Sequence, residues 1–158
     1  MHQLVDIDTV PGVEHLCDFK IEFSRVDIEP TPLGTRLTFV VEGGRVAGPR
    51  LSGTFLPGGG DWVTVGSDGV ARLDVRATLR TDDGAVVQVT NTGRAVLPDG
   101  ATARMLNGEL IRWDEMYARS SPLFETGDDR YGWLNGLHTV AVNEFSLQAV
   151  HYRIFEVG

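Results

Sequence analysis

With 158 residues, 42% of them hydrophobic and 23% charged, the chain can bury a core and reads as one globular domain over residues 1–158, not as a disordered tail. Fourteen Lys and Arg against 22 Asp and Glu give a formal charge of -8, which repels phosphate backbones and anionic bilayers and argues against nucleic-acid and membrane partners. Cys17, the one cysteine, excludes an internal disulfide framework and a thiolate metal cluster.

The N-terminal stretch MHQLVDIDTVPG lacks the basic start and apolar run of a signal peptide, so a cytoplasmic location is the expectation. From Leu16 the pattern becomes period-two: Cys17, Phe19, Ile21 and Phe23 share one face, while Asp18, Lys20 and Glu22 share the other. Thr35 to Glu42 repeats this with Leu37, Phe39 and Val41, and Gly43-Gly44 is expected to stop the run. Arg50 to Leu56 is a further strand, followed by Pro57-Gly58-Gly59-Gly60-Asp61-Trp62, a triple glycine that delivers a carboxylate and an indole together.

After Trp62 to Val65, Ser67-Asp68-Gly69 is a hairpin signal, repeated at Asp83-Gly84 and Asp99-Gly100. Between these turns, Val70 to Arg80 and Ala85 to Leu97 form a long antiparallel pair, and Met105 to Tyr117 is expected to continue as an extended segment. Pro122 to Gly136 breaks the alternation and reads as a long ordered loop, with a helical turn around Asp129 to Leu134. Leu137 to Val142 and Ser146 to Val157 close the chain, joined through Asn143-Glu144-Phe145. The expected fold class is therefore all-β. About eight strands in a closed up-and-down antiparallel barrel suit this pattern, with a two-sheet sandwich as the alternative.

Three clusters carry candidate chemistry. Asp61 beside Trp62 reads either as a turn carboxylate with an indole plug or as a desolvated general acid or base at a barrel mouth. On Val70 to Arg80, Asp74, Arg76, Thr78 and Arg80 share one face; it is either solvated or lines a polar cavity in which Arg76 holds an anionic oxygen. Arg119, Glu125, Tyr131, Trp133 and Asn135 gather on the irregular segment, as either a binding wall or a structural cap. The histidines have neither HxH nor HExxH spacing, no GxSxG elbow occurs, and VEGGRVAGPRLSG has no phosphate-loop pattern. Neither a metal nor a nucleotide or other cofactor is expected.

The blocks GGRVAGPRLSGTFLPGGGDW, DGVARLDVRATLRTDDGA and FETGDDRYGWLN, in that order, resemble the family called domain of unknown function 3237, over about Phe19 to Val157. The resemblance implies a calycin-like β-barrel, similar in outline to lipocalins, with no general activity established; some members look associated with breakdown of aromatic compounds. Relatives tend to read YFRT before FET, whereas this chain has Tyr117-Ala118-Arg119-Ser120.

The expectation is a cofactor-independent enzyme for hydration, elimination, isomerisation or hydrolysis of a small organic acid or aromatic metabolite. Asp61, Glu125 and Arg76 would be catalytic, and Trp62, Arg119, Tyr131, Trp133 and Asn135 would bind substrate. The alternatives are a lipocalin-like carrier and a homo-oligomeric module.

Overall fold

The computed structural model describes residue 7 and residues 9–158, so His2 and the start of the stretch read for a leader lie outside the described residues. The alternating runs become nine strands: β1 (Val13–Thr31), β2 (Gly34–Ala47), β3 (Gly53–Phe55), β4 (Gly60–Val65), β5 (Val70–Thr81), β6 (Val86–Val96), β7 (Tyr117–Glu125), β8 (Thr139–Phe145) and β9 (Ala149–Val157). All their pairings are antiparallel, and β1 meets both β9 and β2, so the sheet closes into a ring. Alternate residues of each strand point into the ring, which is why the apolar phase of β5, Leu73, Val75, Ala77 and Leu79, is buried.

One segment of the ring is divided between two short strands. β3 pairs with Arg45 and Val46 of β2 and with Gly53-facing residues of β5, whereas β4 pairs with Thr35 to Val40 of β2 and then with β5. Between β3 and β4, the glycine segment keeps the ladder alive. Gly58 N–H donates to Val41 O at 3.0 Å, Val41 N–H to Gly59 O at 3.3 Å, and Leu56 N–H to Thr78 O at 2.8 Å. Gly59 does this with a φ of 77°, and a Cβ there would strike the Arg76 carbonyl oxygen. The triple glycine is thus a junction that lets β4 start in register, with Asp61 opposite Phe39 and Val75.

Several expectations are corrected. Gly43-Gly44 does not end its strand: β2 runs on to Ala47, and Gly44, at φ 142°, packs against the backbone of Lys20, beside the β1–β2 register shifts at Glu22 to Arg25. Asp99-Gly100 is not a hairpin turn, because Gly100 at φ 75° leads into a short helix, α1 (Ala101–Leu106). Met105 to Tyr117 is accordingly not extended. Met105, Ile111 and Met116 instead plug one end of the ring as part of its core. β7 reaches past Pro122 to Glu125, and the 3-10 helix Asp129–Gly136 occupies the place where a helical turn was expected. The β8–β9 joint falls at Ser146 to Gln148, where Ser146 Oγ accepts from the N–H groups of Gln148 and Ala149. Among the described residues no helix is long and apolar enough to cross a membrane.

The core forms two apolar clusters. One centres on Phe19, Phe55, Leu79, Phe124 and Ile154 and is covered by Leu134 of the 3-10 helix; the other centres on Phe39, Val63, Leu73, Ala95 and Met105. Because Gly59 needs both its left-handed backbone and its missing side chain, Gly59→Ala is expected to cost about 1–3 kcal/mol. Gly127→Ala, where an added Cβ meets nothing within 4 Å, should stay within about 0.5 kcal/mol. Urea unfolding of the two variants checks the pair.

Candidate active site

In a closed ring, an inward-pointing polar side chain is largely cut off from bulk water, so each one needs a partner inside. Five polar residues take interior positions on five different strands: Asp61 on β4, Asn91 on β6, Ser120 on β7, Asn143 on β8 and Tyr152 on β9. Their register places them together. Asp61 pairs with Val75, Val75 with Asn91, Gly93 with Ser120, and Asn143 with Tyr152. On β6 to β8 this belt lies between the two apolar clusters, with Val89, Phe124 and Ala141 on one side and Ala95, Ala118 and Phe145 on the other. Gly93 makes the crossing tight: a Cβ there would stand 2.6 Å from Ser120 Cβ.

The belt is only partly satisfied. Ser120 Oγ donates to Asn143 Oδ1 at 3.1 Å, and the Asp74 N–H donates to Asp61 Oδ1 at 3.1 Å. Asn91 Oδ1, Asn143 Nδ2 and Tyr152 Oη are buried and have no hydrogen-bond partner. An orphaned buried group of this kind typically costs about 1–3 kcal/mol, which is a reason to look for a ligand.

Asp61 and Tyr152 line a cavity of about 50 Å³, whose other walls include Phe23, Phe39, Leu73 and Met105. Burial in these surroundings pushes the Asp61 carboxyl up to about 7, against the opposing effect of the Asp74 N–H. Burial, and then the nearby Asp61 charge, raise the Tyr152 phenol well above its ordinary value, so it stays a neutral donor. The cavity therefore offers one carboxyl that changes charge near neutrality and one phenol that does not.

The side chains picked out from the sequence are distributed differently, and of them only Asp61 lines this cavity. Trp62 follows Asp61 in an extended strand, so it points outward and is 39% exposed. Arg76 is on the outer face, 4.0 Å from Asp74, and Glu125 is on the outer face opposite Gln88. Arg119 lies over the Tyr117 ring at 5.0 Å and donates to Ala118 O. Tyr131 Oη donates to Asp83 Oδ1 at 2.8 Å, the Arg50 guanidinium covers the Trp133 ring at 4.3 Å, and Asn135 exchanges two hydrogen bonds with the Thr126 backbone. These last three tie the FETGDDRYGWLN segment to itself and to the barrel rim. Asp61 is not brought together with Glu125 or Arg76.

Asn91, Ser120, Asn143 and Tyr152 were missed, although the sequence carried a signal. Each occupies the apolar phase of an otherwise apolar alternation, such as Val87, Val89, Asn91 or Val150, Tyr152, Ile154. A second, larger groove of about 690 Å³ lies outside the ring beside Asp18, Glu144 and Trp113. Asp18 pairs with Arg153 at 2.9 Å, Glu144 Oε1 stands 3.5 Å from His151 Nδ1, and Lys20 and Arg45 also line the groove. Among the described residues, no group of three His, Cys, Asp or Glu side chains is placed to hold a metal ion.

Comparison with known proteins places this geometry in context. The profile of a family described as "Protein of unknown function (DUF3237)" matches residues 11–157. A UPF0311 protein of Clostridium acetobutylicum is 34% identical over 102 residues, 65% of each chain, so the match spans just under two thirds of that relative. A conserved protein of unknown function from Rhodopseudomonas palustris has a crystal structure that superposes with a TM-score of 0.87 at 26% identity, covering 96% of this chain and 100% of that one. A hydroalkoxylation enzyme of Penicillium herquei is 33% identical over 95 residues, 60% of this chain and 48% of that protein.

A carboxyl whose folded pKa is raised from 3.8 to about 7 binds its proton more tightly folded than unfolded. Its contribution therefore falls as pH rises between those values and is level above them. Wild type is expected to lose stability on the order of a few kcal/mol between pH 4 and pH 8 relative to Asp61→Asn, whose neutral amide cannot charge. Urea unfolding of both proteins across that range reads the difference.

Proposed function

Given that the chain belongs to the DUF3237 family of unknown function, we propose that it is an enzyme transferring protons to and from a small, largely apolar molecule held inside the barrel, with Asp61 as acid and base. One observation carries this reading: an interior carboxyl, 6% exposed and lining an apolar cavity, that holds its proton until about pH 7. Such a group gives and takes a proton at neutral pH with little driving-force penalty. A purely structural carboxylate would be better served by full pairing, and a carrier has no use for an acid at its floor.

The reaction class that suits this group is addition or elimination across a carbon–carbon double bond, or the related shift of such a bond. Protonated Asp61 gives its proton to one alkene carbon, a hydroxyl oxygen bonds to the other, and the proton lost from that oxygen returns to the Asp61 carboxylate. Bonds and charges balance over the cycle, and the side chains of the barrel supply everything the proton needs. Hydroalkoxylation, the activity named for the Penicillium herquei relative, is an addition of an O–H group across a double bond and belongs to this class. Arg76 and Glu125 take no part in this scheme because they stand on the other side of the sheet.

The experiment uses 2-allylphenol and a panel of enolisable cyclic ketones in D₂O, followed by NMR for cyclisation or deuterium at carbon. Wild type is expected to exceed buffer, Asp61→Asn to fall by roughly 10²–10⁴-fold, and the acid-dependent rate to decline as pH rises through about 7. Turnover that survives unchanged in Asp61→Asn would remove Asp61 from the chemistry.

A further inference from the structure

The unpartnered atoms of the belt define what the cavity can recognise. Ser120 Oγ fixes the Asn143 amide by donating to its Oδ1, which leaves Asn143 Nδ2 as a buried donor without an acceptor. Tyr152, the register neighbour of Asn143, presents a second such group in its Oη, and this side chain lines the cavity with Asp61. Tyr152 and Asp61 face the same cavity, and Asn143, which does not itself line it, stands beside Tyr152 in register. A neutral donor next to a proton-bearing carboxyl, backed by a second buried donor, is the arrangement that holds a carbonyl, enol or phenol oxygen and stabilises charge developing on it.

The charge inventory sharpens the choice. The buried polar side chains among the described residues are Asp61, Thr81, Asn91, Ser120, Thr139 and Asn143, with no Lys, Arg or His among them. Arg76 and Arg119, which would have clamped an acid, belong to the outer face. A carboxylate or phosphate entering this chamber would lose its hydration with no cation to replace it and would meet Asp61 once that group is ionised.

We propose that Tyr152, with Asn143 behind it, forms an oxygen cradle that, once the apolar walls of the roughly 50 Å³ cavity part to admit a ring, selects uncharged, oxygen-bearing, largely apolar substrates (phenols, enols and enones) and rejects organic acids. This rests on the reading of the Asp61 cavity as the substrate site and narrows its substrate class. Tyr152 is a positioning and recognition residue in this scheme, while the proton moves at Asp61. Because Tyr152 Oη makes no hydrogen bond of normal geometry, the Asn91 side chain standing near enough only to oppose the rise of its pKa, Tyr152→Phe removes a poorly satisfied polar atom and leaves the ring packing in place. A residue kept for stability would behave in the opposite way.

The test is a titration of the full chain with phenol, its near-isostere toluene, and benzoate at pH 8, followed by the backbone amide resonances of β4 and β9. Phenol is expected to bind at least roughly tenfold more tightly than benzoate. Tyr152→Phe should weaken phenol roughly five- to thirtyfold, leave toluene unchanged and hold or raise the thermal unfolding midpoint. Asn143→Leu, which removes the second donor together with the acceptor of the Ser120 hydroxyl, should weaken phenol relative to toluene in the same direction. Benzoate binding as tightly as phenol, or a phenol-to-toluene ratio unmoved in Tyr152→Phe, overturns the cradle while leaving acid–base chemistry at Asp61 standing. Failure of all three compounds to perturb β4 and β9 overturns the cavity as a ligand site, and both readings fall with it.

Discussion

The structure turns on the burial of a single carboxyl inside a closed sheet. Asp61 shares the interior with Val63, Leu73 and Phe39 and has one backbone N–H as its recorded hydrogen-bond donor, at 3.1 Å. Once the ring closes, that carboxyl is only 6% exposed, and its ionised form carries a large desolvation cost. The neighbouring polar residues do not relieve the problem. Asn143 and Ser120 satisfy each other in part, and Tyr152 Oη, near the Asn91 side chain, makes no hydrogen bond of normal geometry. A fold that needed only stability would fill these positions with apolar residues of similar volume. That the chain holds five polar groups there instead is what links its architecture to chemistry.

The scaffold serves this arrangement at two places. At the β3–β4 junction, Gly58 and Gly59 accept positive φ so that β4 enters the ring beside β2 and β5 in the phase that sends Asp61 inward and Trp62 outward. A one-residue slip would exchange the two and leave no acid in the barrel. At one end of the ring, Met105 and Ile111 follow the Gly100 turn into the second apolar cluster, and Met105 helps wall the cavity. At the other end, the 3-10 segment is self-tied through Asn135 and Thr126 and anchored by Tyr131 on Asp83. The belt thus lies between two stiff plugs, which is where a preorganised site belongs.

Period-two alternation made the strands and their buried faces legible, because the same residues that alternate in β1, β5 and β6 are those that bury, but it left a closed ring and a two-sheet sandwich undistinguished. What it concealed was local backbone chemistry. Gly44 bends a strand instead of ending it, and Gly100 starts a helix instead of a hairpin, since a glycine at positive φ is compatible with both outcomes. For the site, Asp61 was identifiable from its glycine-delivered position. Arg76, Glu125 and Trp62 drew attention for their chemistry, yet their phase in the strand sets them outside. Asn91, Ser120, Asn143 and Tyr152 stood in the apolar phase, where a polar residue is the anomaly. Dense aromatics in FETGDDRYGWLN reflected capping, with Trp133 under Arg50 and Leu134 in the core.

The chemistry proposed for the barrel interior depends on the protonation state of one group. The most direct measurement is a ¹³C NMR titration of the Asp61 carboxyl carbon in the folded protein, assigned through Asp61→Asn. A midpoint near 7 is the predicted result. A midpoint near 3.8, the ordinary carboxylate value, would mean that Asp61 is ionised and solvated at neutral pH, and would contradict the account of the barrel as an acid–base site.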